Sequence, residues 1–192
     1  FIPNTIFDVG VAKGTKDLYD VFPECFFVLI EPIEKYENYM KKILKKYKGI
    51  YKLTAASSEK GFTSFNLHPN HMDGSSILKE ETGKESDGYE IKVTTSKIDD
   101  IVLDEKLNGP FILKVDVQGA EINVMGGALE TLKDTEVVIL EVSLFKFMKG
   151  APDLFEILDF MKKYGFVAYD ILNGFYRPLD NALGQVDIVF VK

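Results

Sequence analysis

The sequence predicts an α/β fold in which seven core strands form a mostly parallel sheet covered by helices on both faces. Short apolar runs bounded by turn residues recur along the chain, and amphipathic stretches separate the first five of them. Apolar runs without alternation, such as 26–30 and 111–115, are typical of strands buried on both faces. The last two strands, at 166–172 and 186–191, are joined without a helix, so we expect them to pair antiparallel.

The first strand and the turn after it organise the chain. The apolar run 4–9 contains Asp8 and breaks into a turn that holds Gly10 and Gly14, and a short helix is predicted over 16–22. Because Gly10 has no Cβ, its backbone can approach a ligand closely, while Gly14 serves the turn or the packing of helix on strand. Glycines in this position are also common as plain turn residues.

The remaining elements follow from periodicity and turn residues. A strand at 26–30 lies between Pro23 and Pro32. The helix predicted over 33–48 has apolar residues on one face and lysines mostly on the other, and Gly49 ends it. The other predicted elements are strands at 50–55 and 136–140, helices at 120–133 (interrupted by Gly126-Gly127) and 152–163, and a hairpin-like excursion that pairs 62–67 with 90–95.

Length and composition predict a single domain, 1–192, with an inserted loop and hairpin region at about 61–95. The net charge of −7 excludes the basic surface that a nucleic-acid partner needs, and no apolar run reaches the roughly 18 residues of a membrane span. The single cysteine, Cys25, excludes an internal disulfide and favours a reducing, cytoplasmic location. The sequence starts at Phe1, close to a strand and without methionine, so we expect further residues to precede it.

Polar residues and small residues follow the predicted strands at their carboxyl ends, where ligands bind in sheets of this type. These positions hold Asp8 with Gly10, Glu31, Ala56 with Ser57, Asp116 and Glu141. Glu31 follows a buried strand about 20 residues after the glycine turn, where nucleotide folds place a carboxylate on the ribose hydroxyls; a solvated strand-end acid is the alternative. The glycine spacing is G-x-x-x-G, not the dinucleotide fingerprint G-x-G-x-x-G. It suits S-adenosylmethionine (SAM), which has no pyrophosphate.

Several functional side chains lie around the turn that follows the fourth core strand. Asp116 is expected to cap the next helix or to face the cofactor, and the two roles are compatible. Gln118 and Glu121 are candidate substrate ligands, although Glu121 is equally suited to the positive end of the helix. Lys114 lies within the strand and needs an acidic partner, such as Asp116 or Glu141.

The longest irregular stretch, 68–88, holds both histidines of the chain, and long loops in compact domains are usually functional or disordered. His71 and His68 are candidate bases near neutral pH, and surface positions are the alternative. Their spacing from Asp73 and Glu80 matches no strong metal-binding pattern, so no metal site is predicted.

Taken together, the motifs resemble the FkbM-type methyltransferases. They occur in that family's order and span nearly the whole chain: Asp8-Val9-Gly10-Val11-Ala12-Lys13-Gly14-Thr15, Ile30-Glu31-Pro32, Gly74-Ser75-Ser76-Ile77-Leu78, Leu113-Lys114-Val115-Asp116-Val117-Gln118-Gly119-Ala120-Glu121 and Leu140-Glu141-Val142. The motif around Asp116 is the most specific. The resemblance implies the Rossmann-like class I methyltransferase fold, with strand order 3-2-1-4-5-7-6 and the last strand antiparallel. It also implies SAM-dependent methyl transfer, usually to a hydroxyl of a sugar, lipid or small natural product.

The resemblance also implies which residues surround each part of the cofactor. It assigns Asp8, Gly10 and Gly14, with Val11 between them, to the methionine moiety of SAM, Glu31 with the adjoining Pro32 to the ribose, Ala56 and Ser57 to the adenine, and Asp116 to the sulfonium. Candidate substrate contacts are Ser75, Ser76, Gln118 and Glu121, since the segment 68–88 is expected to help select the acceptor.

The chain departs from the family pattern at two positions. Val11-Ala12 stands where members often have Ala-Asn, so a side-chain hydrogen bond to the methionine moiety is not expected. Gln118 stands where many members have Glu, and an amide cannot act as an acid or a base.

Three functions are open on the sequence alone. The first is an O-methyltransferase with a small-molecule or glycan acceptor, for which Asp116, His71 and Glu141, in that order, are the candidate bases. The second is an oxidoreductase with a nicotinamide cofactor, against which the absent third glycine argues. The third is a non-catalytic module on the same fold, against which the intact set of strand-end residues argues. The sequence does not predict the oligomeric state.

Overall fold

The chain folds into two β-sheets and five α-helices within residues 1–81 and 88–192, which the computed structural model describes. The strands are β1 Thr5–Val9, β2 Phe26–Ile30, β3 Gly49–Lys52, β4 Ala55–Ala56, β5 Gly61–Leu67, β6 Tyr89–Ser96, β7 Phe111–Val115, β8 Thr135–Ser143, β9 Val167–Tyr176 and β10 Leu183–Val191. The helices are α1 Lys16–Val21, α2 Glu37–Ile43, α3 Ile98–Asp104, α4 Glu121–Gly126 and α5 Leu154–Lys163.

Seven strands form the main sheet in the order β3-β2-β1-β7-β8-β10-β9. Counted within this sheet alone, the order is 3-2-1-4-5-7-6, and β10 pairs antiparallel with both of its neighbours while the other pairs are parallel. The predicted mixed α/β fold with seven mostly parallel strands is therefore confirmed, as is the antiparallel pairing of the last two strands.

Helices pack on both faces of the main sheet because its central strands are apolar on both faces. On one face, Leu18 and Tyr19 of α1 and Met40 of α2 form a core with Ile6, Phe27 and Leu29. On the other face, α3, α4 and α5 pack on Phe7, Val28 and Leu113, with the buried helical residues Ile98, Ile101, Val124, Met125, Ile157 and Met161.

The helix predicted over 33–48 is shorter and interrupted. Ile33 is extended, a 3-10 helix Glu34–Tyr36 precedes α2, and α2 ends at Ile43. Beyond it, the Lys46 N–H donates to the carbonyl of Ile43, three residues back, at 2.9 Å, so the chain tightens into turns before Gly49. The predicted helix over 120–133 is likewise divided, into α4 and the 3-10 helix Thr131–Asp134.

The strand predicted at 50–55 is two strands that belong to different sheets. β3 pairs with β2 in the main sheet, whereas β4 pairs with β6 in the three-stranded sheet β4-β6-β5. β5 and β6 pair antiparallel from Gly61↔Thr95 to Leu67↔Tyr89, which confirms the predicted hairpin-like excursion. Of the segment 68–88, residues 82–87 lie outside the described residues.

The register of the main sheet brings residues of four neighbouring strands together. Val9 pairs with Ile30 on one side and with Val115 on the other, and Val115 pairs with Leu140. The next residue of each strand is Gly10, Glu31, Asp116 and Glu141, respectively. Gly10, Glu31 and Asp116 directly follow their strands. Glu141 lies inside β8, which continues to Ser143, so the predicted end of this strand at Leu140 is wrong. The four residues nevertheless form one continuous row near the carboxyl edge of the sheet.

Candidate active site

A cavity of about 340 Å³ lies over the carboxyl ends of β1, β2, β7 and β8. The residues that line it include the row Gly10, Glu31, Asp116 and Glu141, the two residues of β4, Ala55 and Ala56, and, from the inserted region, Phe65, His71, Met72, Asp73, Ser75 and Ile77. The other lining residues are Val9, Ala12, Ile30, Pro32, Ile33, Tyr36, Thr54, Val117, Gln118, Ala120, Phe175 and Gln185. Ligand sites in proteins are commonly clefts of about 300–1,000 Å³, so the cavity has room for a small molecule.

Gly10 brings two strand ends into close contact. Its φ of +80° is in the left-handed region, and a Cβ on it would lie 1.7 Å from the backbone oxygen of Asp116. From the sequence, the missing Cβ is expected to make room for a ligand. The nearest neighbour is instead the protein's own backbone, so Gly10 is required for the junction of β1 and β7, which forms the floor of the cavity.

Glu31 holds the glycine turn against the end of β2. Its Oε2 accepts a hydrogen bond from the Ala12 N–H, and its Oε1 accepts one from the Ile33 N–H, both at 2.9 Å. The side chain is buried, so it is not the solvated strand-end acid that the sequence allows. Burial raises the pKa of Glu31 to about 7, against the opposing effect of the two N–H donors.

Asp8 lies beneath the cavity rather than on its surface. It is fully buried, accepts hydrogen bonds from Thr15 Oγ1 and the Tyr19 hydroxyl, and lies 3.8 Å from Lys114 Nζ. Lys114 Nζ also donates to Asp116 Oδ2 at 3.2 Å, which confirms the predicted partner. Burial acts to lower the pKa of Lys114, but the carboxylates of Asp8 and Asp116 outweigh it and raise this pKa, so the lysine stays charged.

Five polar side chains meet near the ends of β7, β8 and β10. Gln118 Nε2 donates to Asp116 Oδ1 at 3.1 Å and to Glu141 Oε2 at 2.7 Å. Gln185 Nε2 donates to the same Glu141 oxygen at 3.1 Å and to Ser143 Oγ at 3.3 Å. Burial, and then the neighbouring Asp116 carboxylate, raise the pKa of Glu141 well above its ordinary value.

Glu121, a predicted substrate ligand, supports the loop instead of facing the cavity. It is buried, and its Oε1 accepts the N–H groups of Gly119 at 3.0 Å and Val117 at 3.4 Å. Burial raises the pKa of Glu121 to about 7. The N-cap position of α4 is Ala120, so Asp116, which the sequence offers as a helix cap, does not cap this helix, and it lines the cavity.

The open side of the cavity is closed in part by the 3-10 helix Met72–Gly74. Asp73 in this helix accepts a hydrogen bond from the Tyr36 hydroxyl and lies 3.6 Å from Lys13 Nζ. His71 is exposed and lines the cavity, whereas His68 is buried, with its Nδ1 3.5 Å from Glu80 Oε1.

The two serines assigned to the acceptor differ in position. Ser75 lines the cavity, and its Oγ accepts the His68 N–H at 3.0 Å. Ser76 is fully buried, and its Oγ donates to the Gln118 carbonyl at 2.8 Å, so it fixes the turn after β7.

Besides Asp8, three further residues assigned to the cofactor lie away from the cavity. Val11 is buried in the core beside α1, and a Cβ on Gly14 would meet Ile43 Cδ1 at 2.7 Å, which agrees with the predicted packing role of Gly14. The Ser57 hydroxyl donates to Asn123 Oδ1 at 2.9 Å. Pro32 and Ala56 do line the cavity.

Several residues that line the cavity are not among those that the sequence singles out. Tyr36, Phe65, Asp73, Phe175 and Gln185 reach it from a helix start, the inserted region and the terminal hairpin. The excursion itself is visible in the sequence and indicates that 62–67 lies near the site, but no local pattern distinguishes Phe65 within it.

Comparison with known proteins identifies the family of the chain. The sequence matches the family model described as the methyltransferase FkbM domain over residues 8–168. Since the match covers most of the chain, the protein is a methyltransferase by family. It belongs to the FkbM methyltransferase domain family, as the motif resemblance predicts.

Solved structures and curated proteins add little. The crystal structure of a candidate RNA methyltransferase from Pyrococcus horikoshii aligns with 14% identity, over 98% of this chain and 74% of that chain, with a TM-score of 0.47. A likeness at this TM-score carries no argument about either chain. No curated protein matches the sequence. No helix formed by residues 1–81 or 88–192 combines the length and apolar character needed to cross a membrane.

Proposed function

We propose that the protein transfers a methyl group from SAM to a hydroxyl group of a sugar, lipid or small natural product. The observation that carries this proposal is the single cavity where the glycine turn, Glu31 and the Asp116–Glu141 pair meet at the carboxyl edge of the sheet. Family membership supports methyl transfer, and the proposal adds the cofactor and the acceptor class.

The residues around the cavity fit the chemistry of SAM. Ile33, Ala55 and Phe65 belong to one buried apolar cluster and offer an apolar wall for an adenine ring. Glu31 retains acceptor capacity for ribose hydroxyls, because each of its oxygens accepts only one backbone N–H among the contacts described above. Gly10 and Asp116 would hold the methionine end. When bound, SAM supplies a methyl group carried on a positively charged sulfur.

The chain's own contribution is to hold the acceptor and to receive its proton. An alcohol has a pKa far above 7, so a base assists its attack. Asp116 remains the first candidate base, because its carboxylate lines the cavity and Lys114 compensates its charge from below. His71, on the open side, is the second, and Glu141, whose pKa burial raises, is the third.

The acceptor would enter from the side of the 3-10 helix Met72–Gly74. Ser75 and Gln118 line this region with the ring of Phe175, which suits a small polyhydroxylated or partly apolar molecule. A glycan or small-molecule acceptor and a cytoplasmic location are part of this proposal.

The test is ligand binding by the purified protein. SAM or S-adenosylhomocysteine (SAH) at 100 times its Kd should add about 2.7 kcal/mol of stability, or roughly 5–11 °C in Tm for a domain of this size. Glu31→Gln should weaken binding of both ligands about tenfold or more, since it replaces one acceptor oxygen by an amide donor. Glu34→Gln, an exposed residue three positions later, is the matched control and should bind as the wild type does. Tight binding of NADH with no binding of SAM or SAH would overturn the proposal.

A further inference from the structure

Gln118 occupies an unusual backbone conformation directly beside two carboxyl groups. Its φ is +56°, in the left-handed region that non-glycine residues rarely adopt, and Gly119 after it has φ +95°. This conformation turns the Gln118 side chain back across the ends of β7 and β8. The two N–H bonds of its amide group are then used on Asp116 and Glu141, one for each. Backbone strain at a functional site is a common sign that the side chain has a required position.

A second amide, that of Gln185, contacts the Asp116–Glu141 pair from the side opposite Gln118. Gln185 on β10 directs its Nε2 at the same Glu141 oxygen that Gln118 contacts, and its other partner is Ser143 on the strand of Glu141. Glu141 Oε2 therefore accepts two amide N–H groups, at 2.7 Å and 3.1 Å. The hydrogen-bonding pattern holds the carboxyl group of Glu141 against Asp116 in one orientation.

The charged groups around this pair come from every element that packs on it. They are Lys114 on β7, Asp8 on β1, Glu121 at the start of α4 and Asp187 on β10, and the titratable side chain of His71 lies across the cavity. Lys114 is the cation nearest to the pair among residues 1–81 and 88–192, and Asp8 shares it. One positive charge thus faces several carboxyl groups, and two adjacent carboxyl groups that share a site cannot both ionise without cost.

We propose that Asp116 and Glu141 act as one proton-sharing unit, and that Gln118 is the positioning residue that keeps the two carboxyl groups in contact. This inference rests on the proposed function, because it takes the cationic sulfur of SAM to lie beside the unit. At neutral pH the unit holds one proton and carries one negative charge. Its ionised half is then the group that can accept the proton of an acceptor hydroxyl, which would leave both carboxyl groups protonated and uncharged.

The unit should respond to the charge of the bound cofactor. A cation beside two carboxyl groups favours the loss of their shared proton, whereas a neutral ligand does not. Binding of SAM should therefore release protons from the unit as the pH rises toward the pKa of Glu141, and binding of SAH should not. By linkage, the affinity for SAM should increase with pH relative to the affinity for SAH.

Isothermal titration calorimetry measures this without an acceptor. SAM and SAH are titrated into the wild type between pH 6.5 and 9.5, in buffers of different ionisation enthalpy that report the number of protons exchanged. Each ligand also carries an α-amine that titrates within this range. The same titrations on Glu141→Gln cancel that contribution, since the ligands are unchanged. Glu136→Gln, an exposed residue on the same strand, is the matched control.

We expect the ratio Kd(SAH)/Kd(SAM) of the wild type to rise about tenfold over this range, relative to Glu141→Gln, which corresponds to a shift of about one pKa unit. Glu136→Gln should follow the wild type. Gln118→Asn keeps an amide and a residue type that tolerates the left-handed backbone, but its shorter side chain cannot bridge both carboxyl groups. It should move the midpoint of the pH dependence upward by roughly one unit, because the charged form loses a hydrogen-bond donor.

The outcomes separate the two proposals. Binding of neither ligand to the wild type would refute the proposed function itself. Binding of both with the same pH dependence in the wild type and in Glu141→Gln would leave the proposed function intact and refute the proton-sharing unit. A midpoint unchanged in Gln118→Asn would refute the role of Gln118. If Glu141→Gln does not fold, Gln118→Asn replaces it as the reference, since the ligands and their α-amines are the same for both proteins; a Kd(SAH)/Kd(SAM) ratio with the same pH dependence in the wild type and in Gln118→Asn would then refute the proton-sharing unit.

Discussion

Gly10→Ala should destabilise the protein by more than the cost of placing alanine in a left-handed backbone conformation, because it also disrupts the junction of β1 and β7. The added Cβ would lie 1.7 Å from the oxygen and 2.8 Å from the carbonyl carbon of Asp116. Carbon and oxygen atoms in ordinary contact are about 3.5 Å apart, so the two strand ends would have to separate by well over 1 Å. That movement strains the Asp116 N–H bond to the Val9 carbonyl, at 3.0 Å, and the Gly10 N–H bond to the Ile30 carbonyl, at 2.9 Å.

The expected loss of unfolding free energy has a conformational part and a steric part, and a matched variant separates the two. A left-handed alanine costs about 1–2 kcal/mol, less about 0.4–1 kcal/mol gained because alanine restricts the unfolded chain. Overpacking adds typically about 1–3 kcal/mol. Gly165 has φ +85°, and a Cβ added to it would meet no atom within 4 Å, so Gly165→Ala carries the first part only. We expect a loss of about 1–4.5 kcal/mol for Gly10→Ala and of about 0–1.5 kcal/mol for Gly165→Ala.

Urea unfolding followed by far-ultraviolet circular dichroism measures both variants, since the chain has no tryptophan to report by fluorescence. The difference between the variants is the quantity of interest, because the conformational part cancels. Equal losses of unfolding free energy in Gly10→Ala and Gly165→Ala would show that the close approach to Asp116 has no energetic weight, and the account of Gly10 as a packing residue would fail.

Three further predictions concern charge and capping. Lys114→Met should lower the free energy of unfolding by about 3–5 kcal/mol at pH 7.5, because it leaves Asp8 and Asp116 without their cation; a loss below about 1 kcal/mol in urea unfolding would contradict this. Glu121 has a pKa of about 7 in the folded protein against an ordinary 4.5, so the native state holds a proton that the unfolded chain releases. The free energy of unfolding should therefore fall as the pH rises from 4.5 to 7, and Glu121→Gln should reduce that fall by roughly 1–3 kcal/mol in urea unfolding across this window. The same fall in the variant and the wild type would contradict this. Asp153→Ala should cost about 1 kcal/mol, measured in the same way, because it removes the capping box that starts α5; no change would mean that the cap is dispensable.

Strand ends could be predicted from sequence because one local rule defines them. Glu31, Asp116 and Glu141 each follow an apolar run, and parallel pairing in register places them side by side. The roles of these acids, which the sequence leaves open, are decided by which of them are buried and which N–H groups they bind. Glu31 is buried and bound to two N–H groups, and Glu121 instead of Asp116 satisfies the turn before α4.

The rest could not be predicted, because it depends on contacts between distant segments. The sequence assigns Gln118 to the substrate, yet its amide bridges two carboxyl groups only because its own φ is positive and because β8 lies beside β7. The predicted helix lengths are also wrong. The pattern over 33–48 is amphipathic throughout, but α2 ends at Ile43, and the Lys46 N–H beyond it bonds to the Ile43 carbonyl three residues back.

The outermost strand of the main sheet, β9, is an exposed edge that bears on aggregation. All ten residues of β9 are exposed, among them Tyr169, Ile171 and Phe175, and such an edge invites strand-to-strand aggregation. Its pairing with β10 has three register irregularities, and Asn173 has a φ of +43°. Irregularities of this kind bend and twist a strand, so β9 does not offer a straight row of free N–H and C=O groups to another chain. We expect that straightening this edge, more than adding apolar residues to it, would make the protein prone to form fibrils.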